Sequence, residues 1–337
     1  MEEIKILGDN PRIGIIGSGS WATAIARMVM CNTKHLNWYL RNRKNIETFK
    51  LTGHNPNYLT SVQFATENIY FSSDINEIVR QSDVLIFAVP SAFLKSALES
   101  LTEPISDKYV ISAIKGLIPD DNMIVGSWIH KNLDVPINHI GVISGPCHAE
   151  EVAFERLSYL TIACQDIKLA KEYADLISCH FIKTTVTDDI YGTEYSAVLK
   201  NIMAIASGIF HGLGYGDNFQ AVLISNAIQE MKRFVDTVHP IARDIKSSAY
   251  LGDLLVTCYS QFSRNRTFGT MLGKGYSVKS AQMEMLMVAE GYYAVKCIKE
   301  INDKYQVNMP ITDAVYNIIY EKVSPVIECM LLTDQLR

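Results

Sequence analysis

The sequence predicts an α/β protein: an N-terminal Rossmann-like doubly wound sheet followed by an all-α C-terminal domain. Three observations carry this. A short apolar strand, Arg12-Ile13-Gly14-Ile15-Ile16, runs directly into Gly17-Ser18-Gly19-Ser20-Trp21-Ala22 and then into the helix-like Thr23 to Val29. Further apolar strands recur at 36–40, 84–89, 110–114 and 140–143, each ending in a small or polar loop. From Asp189 onward the apolar period becomes helical. The change places the boundary near residue 188, giving domains 1–188 and 189–337.

The first turn has the form G-x-G-x-x-A. Gly17 permits the tight turn, Gly19 lets backbone approach a diphosphate, and the small Ala22 lets helix and strand pack while the helix N-terminus faces the anion. Strand before and helix after are the setting the motif requires; the plain alternative is a tight turn that holds no ligand. The second strand ends in Arg41-Asn42-Arg43 and not in the acidic residue that would hold a ribose 2′-hydroxyl. Cationic groups there tolerate a 2′-phosphate, which points to NADP acceptance alongside NAD, unless the turn is merely an exposed basic one. In a parallel sheet, ligands lie at the carboxyl ends of strands, so Lys115 and the loop 144–149 are expected at the nucleotide crevice.

The helical half begins with Lys200 and Asn201 inside the run Tyr195 to Phe210. Leu199, Ile202, Met203, Ala206, Ile209 and Phe210 recur at helical spacing, and Ala197, Ala204 and Ile205 make most of the remaining circumference apolar. A lysine buried there loses affinity for its proton and can act as a general acid or base near neutral pH. The competing reading is a lysine whose stem crosses apolar surface and whose head reaches water. Helices are also expected at 218–238, 280–299 and 313–322. Between them lie Gly252-Asp253-Leu254 and Ser263-Arg264-Asn265-Arg266. Guanidinium forks with amide and hydroxyl donors suit a phosphate dianion, and a lone carboxylate can orient an amine. A helix N-cap with solvated arginines is the alternative.

Length and composition bound the rest. The 337 residues suffice for two domains, and a formal net charge of −5 gives no global attraction to nucleic acid or anionic membrane. The ligand expected is therefore a small molecule. Seven scattered cysteines without a C-x-x-C pair argue against a disulfide framework or a structural zinc site. No apolar run reaches a membrane span and the N-terminus has no export pattern, so a cytoplasmic protein without membrane insertion is expected.

Taken in order, Gly17 to Ala24, Lys115-Gly116, Gly145-Pro146 with Ala149 to Ala153, Leu199-Lys200-Asn201, Gly208 to Asn218, Gly252-Asp253-Leu254, Ser263 to Arg266 and Glu290-Gly291 resemble the motif set of NAD(P)-dependent glycerol-3-phosphate dehydrogenase of the bacterial type, nearly end to end. The resemblance implies interconversion of dihydroxyacetone phosphate and glycerol 3-phosphate with NAD(P)H, for glycerophospholipid synthesis, by a metal-free homodimer. It makes Lys200 the residue that gives and takes the proton at the carbonyl oxygen. It makes Lys115, Gly145, Cys147, Lys200, Asp253, Ser263, Arg264 and Asn265 substrate-contacting positions. It assigns the cofactor to Gly17, Gly19, Ser20, Trp21, Arg41, Lys115, Ala149, Arg264, Val288 and Glu290.

The sequence departs from the family pattern twice. Gly145-Pro146-Cys147-His148-Ala149 stands where the family reads Gly-Pro-Ser/Thr-Phe-Ala, exchanging a hydroxyl for a weakly bonding thiol. Ser247-Ser248-Ala249-Tyr250 replaces a segment that tends to carry glycine. Two rival readings are a hydroxy-acid dehydrogenase of the 6-phosphogluconate type and a non-catalytic sensor of NAD(P)H. The first does not predict the Ser263 to Arg266 cluster, and the second would be expected to lose Lys200 or Asp253.

Overall fold

A computed structural model describes residues 5–285 and 289–337. The chain divides into two compact units, Met1–Ile114 with Val125–Ile190, and Lys115–Ile124 with Tyr191–Arg337. The sequence expects one division near residue 188. The chain also makes an earlier excursion: residues 115–124 leave the first unit, contribute a short hairpin to the second, and return.

The first unit is built on an eight-stranded sheet. Its strands are β1 (Ile13–Ile16), β2 (Leu36–Tyr39), β3 (Ile69–Ser72), β4 (Val84–Phe87) and β5 (Tyr109–Ser112), then, after the hairpin β6 (Leu117–Ile118) and β7 (Met123–Ile124), β8 (Ile140–Ser144), β9 (Ser158–Cys164) and β10 (Ile182–Thr187). The spatial order is β3-β2-β1-β4-β5-β8-β9-β10. Strands β1, β4, β5 and β8 are almost wholly buried, as expected of strands covered on both faces. The winding reverses at β1, which pairs in parallel with both β2 and β4, and this puts the Gly17 turn at the switch point of the sheet.

Three strands of this sheet, β3, β9 and β10, and both strands of the hairpin lie outside the sequence reading. In β10, Ile182-Lys183-Thr184-Thr185-Val186-Thr187 is polar at most positions, as an edge strand can be, and carries no continuous apolar signal. The pairing of β8 with β9 is antiparallel, so the sheet is mixed. The intervening segment, residues 145–157, holds the short helix Ala149–Ala153.

The helix Ser20–Val29 buries Ala22, Ala24, Ile25, Ala26, Met28 and Val29 against this core. Beside it, Trp38 packs with Phe49, Phe64 and Phe71, with ring centroids 5.0–5.9 Å apart among the four.

The second unit is helical apart from the hairpin. The Lys200 helix spans Ile190–Gly212, and with Asp217–Val238, Arg264–Gly273, Glu290–Tyr305 and Pro310–Ile319 it encloses a core centred on Phe210, Phe234 and Phe268. The segment 280–299, expected as one helical stretch, is instead divided between Val278–Glu284 and Glu290–Tyr305.

Glycine sets how closely these helices approach. A Cβ on Gly208 would stand 2.1 Å from the Arg266 carbonyl oxygen, and one on Gly269 would stand 2.1 Å from that of Ile205. Real side chains do not occupy such space, so the Lys200 and Arg264 helices lie backbone to backbone. Two effects oppose each other at Gly269. Alanine in a helix interior ordinarily gains about 1 kcal/mol over glycine, whereas overpacking typically costs about 1–3 kcal/mol, with the upper end or beyond expected where the neighbour is immovable backbone. Gly269→Ala is therefore expected to destabilise the protein by about 2 kcal/mol or more in urea unfolding; a variant as stable as wild type would show that the helices can separate freely.

Candidate active site

In the first unit, the glycine turn has its carbonyl groups taken up from inside. Trp38 Nε1 donates to the Gly17 carbonyl at 2.7 Å, Asn55 Nδ2 to that of Ser18 at 3.1 Å, and Thr23 Oγ1 to that of Gly19 at 2.9 Å. Asn55 also donates to Thr23 Oγ1 at 2.8 Å, which links two of these supports. Gly17 has φ +134°, and a Cβ there would lie 2.3 Å from the Ala88 carbonyl oxygen, so only glycine fits the turn.

Gly19 is different. A Cβ on it would meet nothing within 4 Å, so the protein itself leaves that space open. Gly19 is also the N-cap of the helix Ser20–Val29, without a side-chain cap and without an acidic residue in the first turn. Open space, tied-back carbonyls and an uncapped helix N-terminus together fit the diphosphate of a dinucleotide.

The remaining first-unit candidates are placed as follows. Ser20 and Trp21 open that helix. Arg41 is exposed just beyond β2, whereas Asn42 caps the helix Arg43–Thr52 through a bond from Lys44 N at 2.9 Å, and Arg43 Nε donates to Ser73 Oγ at 3.0 Å. Of the basic turn, Arg41 is thus the guanidinium not spent on Ser73. Gly145 lies directly after β8, and Cys147 and Ala149 are buried in the apolar cluster of the first unit.

In the second unit, the sequence-distant Lys115, Lys200, Asp253, Arg264 and Glu290 form one electrostatic cluster. Lys200 is 4% exposed and Asp253 1%, and Lys200 Nζ donates to Asp253 Oδ1. Burial lowers the Lys200 amine to about 8, with Asp253 pulling it back up and the neighbouring Lys115 pushing it down by charge and by hydrogen bonding. Asp253 is delivered by a π-helical turn, Ser248–Gly252, which occupies the segment where the sequence departs from its family pattern. Its main chain is held by Thr257 Oγ1, which donates to the Asp253 carbonyl at 2.5 Å.

Of the two readings that the sequence left open for Ser263 to Arg266, the structure shows the helix N-cap. Ser263 is the N-cap of the Arg264 helix, its Oγ accepting from Arg266 N at 3.3 Å, while Arg264 is exposed and Arg266 Nε is buried without a hydrogen-bond partner. Asn265 is buried and largely spent internally: Nδ2 donates to Asn201 Oδ1 at 2.9 Å, and Oδ1 accepts from Gly291 N at 2.9 Å. Asn201 Nδ2 in turn donates to the Lys115 carbonyl at 3.3 Å. One chain of amides therefore ties the Lys115 segment, the Lys200 helix, the Arg264 helix and the Glu290 helix together. Asn201 is the residue of this chain whose side chain the sequence did not assign to the site; its signals were its place in the Leu199-Lys200-Asn201 motif and its polarity beside Lys200 in an apolar run.

Glu290 begins its helix, and its Oε2 is buried without a hydrogen-bond partner. Burial pushes the carboxyl up to about 7, against the pull of Arg264, Lys115 and Lys200. An orphaned carboxyl oxygen beside two ammonium groups fits a site that awaits a polar ligand. Val288 lies outside the described residues.

Comparisons with known proteins agree over nearly the whole chain. Residues 12–170 match the family described as NAD-dependent glycerol-3-phosphate dehydrogenase N-terminus, and residues 189–328 match NAD-dependent glycerol-3-phosphate dehydrogenase C-terminus. A glycerol-3-phosphate dehydrogenase, NAD(P)+, of Desulfotalea psychrophila is 33% identical over 317 residues, 92% of this chain and 93% of its own. The protein of the same description from Bacillus subtilis is 33% identical over 324 residues, 95% of this chain and 94% of its own. Among solved structures, glycerol-3-phosphate dehydrogenase of Coxiella burnetii superposes with a TM-score of 0.88 at 28% identity, covering 96% of this chain and 99% of that one.

The ion pair in the second unit has a measurable consequence. Removing one partner of a buried pair strands the other charge, at a cost of about 3–5 kcal/mol, whereas replacing both with apolar groups costs far less. Asp253→Leu is expected to destabilise the protein by that amount in urea unfolding at neutral pH, and Lys200→Met with Asp253→Leu to recover most of it. Strict additivity of the two single changes would contradict the pairing.

Proposed function

The chain belongs to the NAD(P)-dependent glycerol-3-phosphate dehydrogenase family, and from that premise we propose that Lys200 is its general acid and base. In reduction, the Lys200 ammonium gives a proton to the carbonyl oxygen of dihydroxyacetone phosphate; in oxidation, the neutral amine takes it from the hydroxyl of glycerol 3-phosphate. A reduced nicotinamide, when bound, supplies the hydride that arrives at carbon 2. Asp253 orients the amine, and Lys115 adds positive charge where the alkoxide develops.

Lys115, Arg264 and the start of the Arg264 helix around Ser263 hold the phosphate, with Asn265 fixing the segment that presents them. Gly145 and Cys147 are substrate-side positions of the first unit. In the first unit the dinucleotide is held by Gly17, Gly19, Ser20, Trp21 and Ala149, with Arg41 accepting the 2′-phosphate of NADPH; the family resemblance adds Lys115, Arg264, Val288 and Glu290 to the cofactor-binding positions. In this reading the sheet unit, residues 1–114 and 125–190, is chiefly the nucleotide-binding part, and the helical unit, residues 115–124 and 191–337, is chiefly the substrate-binding and catalytic part. The protein works as a cytoplasmic homodimer that supplies glycerol 3-phosphate for glycerophospholipid synthesis.

The strongest support is the Lys200 amine itself. It is buried, carries a carboxylate partner, stands beside a second ammonium, and is brought by burial to about 8, within reach of proton exchange at neutral pH.

The direction of the pH dependence follows. An amine at about 8 is mostly protonated at pH 7 and mostly neutral at pH 9. The kcat/KM for reduction of dihydroxyacetone phosphate is expected to fall as pH rises through about 8, and that for oxidation of glycerol 3-phosphate to rise through the same range. Lys200→Ala is expected to lower kcat roughly 10²–10⁴-fold while leaving NADH binding intact. Unchanged turnover, or opposite slopes, would overturn the assignment. Arg41→Ala is expected to raise the KM for NADPH and leave that for NADH nearly unaltered, and equal effects on both would remove Arg41 from the 2′-phosphate site.

A further inference from the structure

A separate piece of chemistry lies at the C-terminal end of the glycine-turn helix, within the first unit. Cys31 follows the helix Ser20–Val29 by two residues and is exposed. Arg27 Nη1 donates to its sulfur at 3.1 Å, and the thiol donates to the Arg27 carbonyl at 3.4 Å. The same guanidinium is held from its other side, since Arg27 Nη2 donates to Glu155 Oε1 at 2.5 Å while Glu155 Oε2 meets His180 Nε2 at 3.2 Å. The cation cannot leave the sulfur without breaking that ion pair.

A second thiol is brought to the first. Asn32 Nδ2 donates to the Leu176 carbonyl at 3.2 Å and to the Ser178 carbonyl at 2.7 Å, which seats residue 32 against residue 178. Cys179 is held by backbone bonds in both directions with Ile182, at 3.0 and 3.2 Å, and its thiol lies beside that of Cys31. The other five cysteines are buried. The two thiols with solvent access are therefore the two that are brought beside each other.

We propose that Cys31 and Cys179 form a thiol–disulfide site that closes on reaction with a hydroperoxide. The Cys31 sulfur, as thiolate, attacks a peroxide oxygen; the O–O bond breaks, water leaves after protonation, and Cys31 becomes a sulfenic acid. The Cys179 sulfur then attacks Cys31, the S–O bond breaks, and a second water leaves as the S–S bond forms. Two thiols and one hydrogen peroxide give one disulfide and two waters. Arg27 stabilises the charge on the attacking sulfur. Cys31 is the exposed thiol and the one that accepts from the guanidinium, so it makes the first attack.

The bond would staple the helix end to the turn before β10. The glycine turn lies at the opposite end of a ten-residue helix, about 15 Å away, and so keeps its supports.

The test uses the full-length protein, reduced and desalted, then exposed to hydrogen peroxide, alkylated, and mapped by mass spectrometry without reduction. The expected product has lost two hydrogens and contains a peptide pair joined through Cys31 and Cys179. Dithiothreitol restores the thiols, and the rate of dihydroxyacetone phosphate reduction stays at that of the reduced protein. Cys31→Ser abolishes the link. In Cys179→Ser the Cys31 sulfenic acid persists and is trapped by dimedone. Oxidation of wild-type Cys31 to sulfinic acid without a link, or a link from Cys31 to any other cysteine or to a second molecule, would overturn the proposal. Closure of Arg27→Gln as fast as wild type would contradict the role of the guanidinium.

Discussion

The second unit depends on holding an ammonium group where water is excluded. Lys200 sits in a helix whose neighbours along the chain are Val198, Leu199, Ile202 and Met203, all essentially inaccessible. A charge there is costly unless a counter-charge is built beside it, and Asp253 is that counter-charge. Neutralising the amine fully would remove the proton that the proposed chemistry needs, and solvating it would return it to an ordinary lysine. Burial, the Asp253 carboxylate and the Lys115 ammonium act in opposition, and their balance leaves the amine at about 8.

Everything around the pair serves its geometry. The Gly208 and Gly269 contacts let the Arg264 helix lie against the Lys200 helix at backbone distance. Gly291 does the same for the Glu290 helix, since a Cβ there would lie 2.7 Å from the Asn201 carbonyl oxygen. Across those close crossings runs the amide chain from Lys115 through Asn201 and Asn265 to Gly291. Apolar packing alone tolerates small slips, whereas a chain of buried amides does not, because each broken link leaves a buried polar group unpaired. The first unit uses the same device around the glycine turn proposed to hold the diphosphate: Trp38, Asn55 and Thr23 take up three successive carbonyls of the turn, and Trp38 is itself wedged among Phe49, Phe64 and Phe71.

What the sequence made legible was the part written in local pattern. The strand–glycine–helix order around Gly17, the four apolar strands that follow, and the anomalous Lys200 are all visible because each is a deviation from, or a match to, a short-range period. The hairpin 117–124 was not visible, since nothing in two two-residue strands marks which unit they join. Nor was β10, whose polar face at the sheet edge looks like a loop, or the antiparallel return of β9. Asn55 lies between Gly53-His54 and Pro56 in a segment that reads simply as a turn; its role depends on Ser18 and Thr23, far away in sequence. The pair Cys31 and Cys179 was likewise invisible, because scattered cysteines carry no spacing signal and their meeting is set by Asn32 against Leu176 and Ser178.

The most direct test of the account is to titrate the Lys200 amine itself. In protein carrying isotope-labelled lysine, nuclear magnetic resonance of the side chains, compared between wild type and Lys200→Arg, identifies the signal that belongs to this residue. The account predicts one lysine that titrates near pH 8 and disappears in the variant. If every lysine titrates near the ordinary value of about 10.4, the buried pair does not tune the amine, and Lys200 cannot be the proton carrier described here.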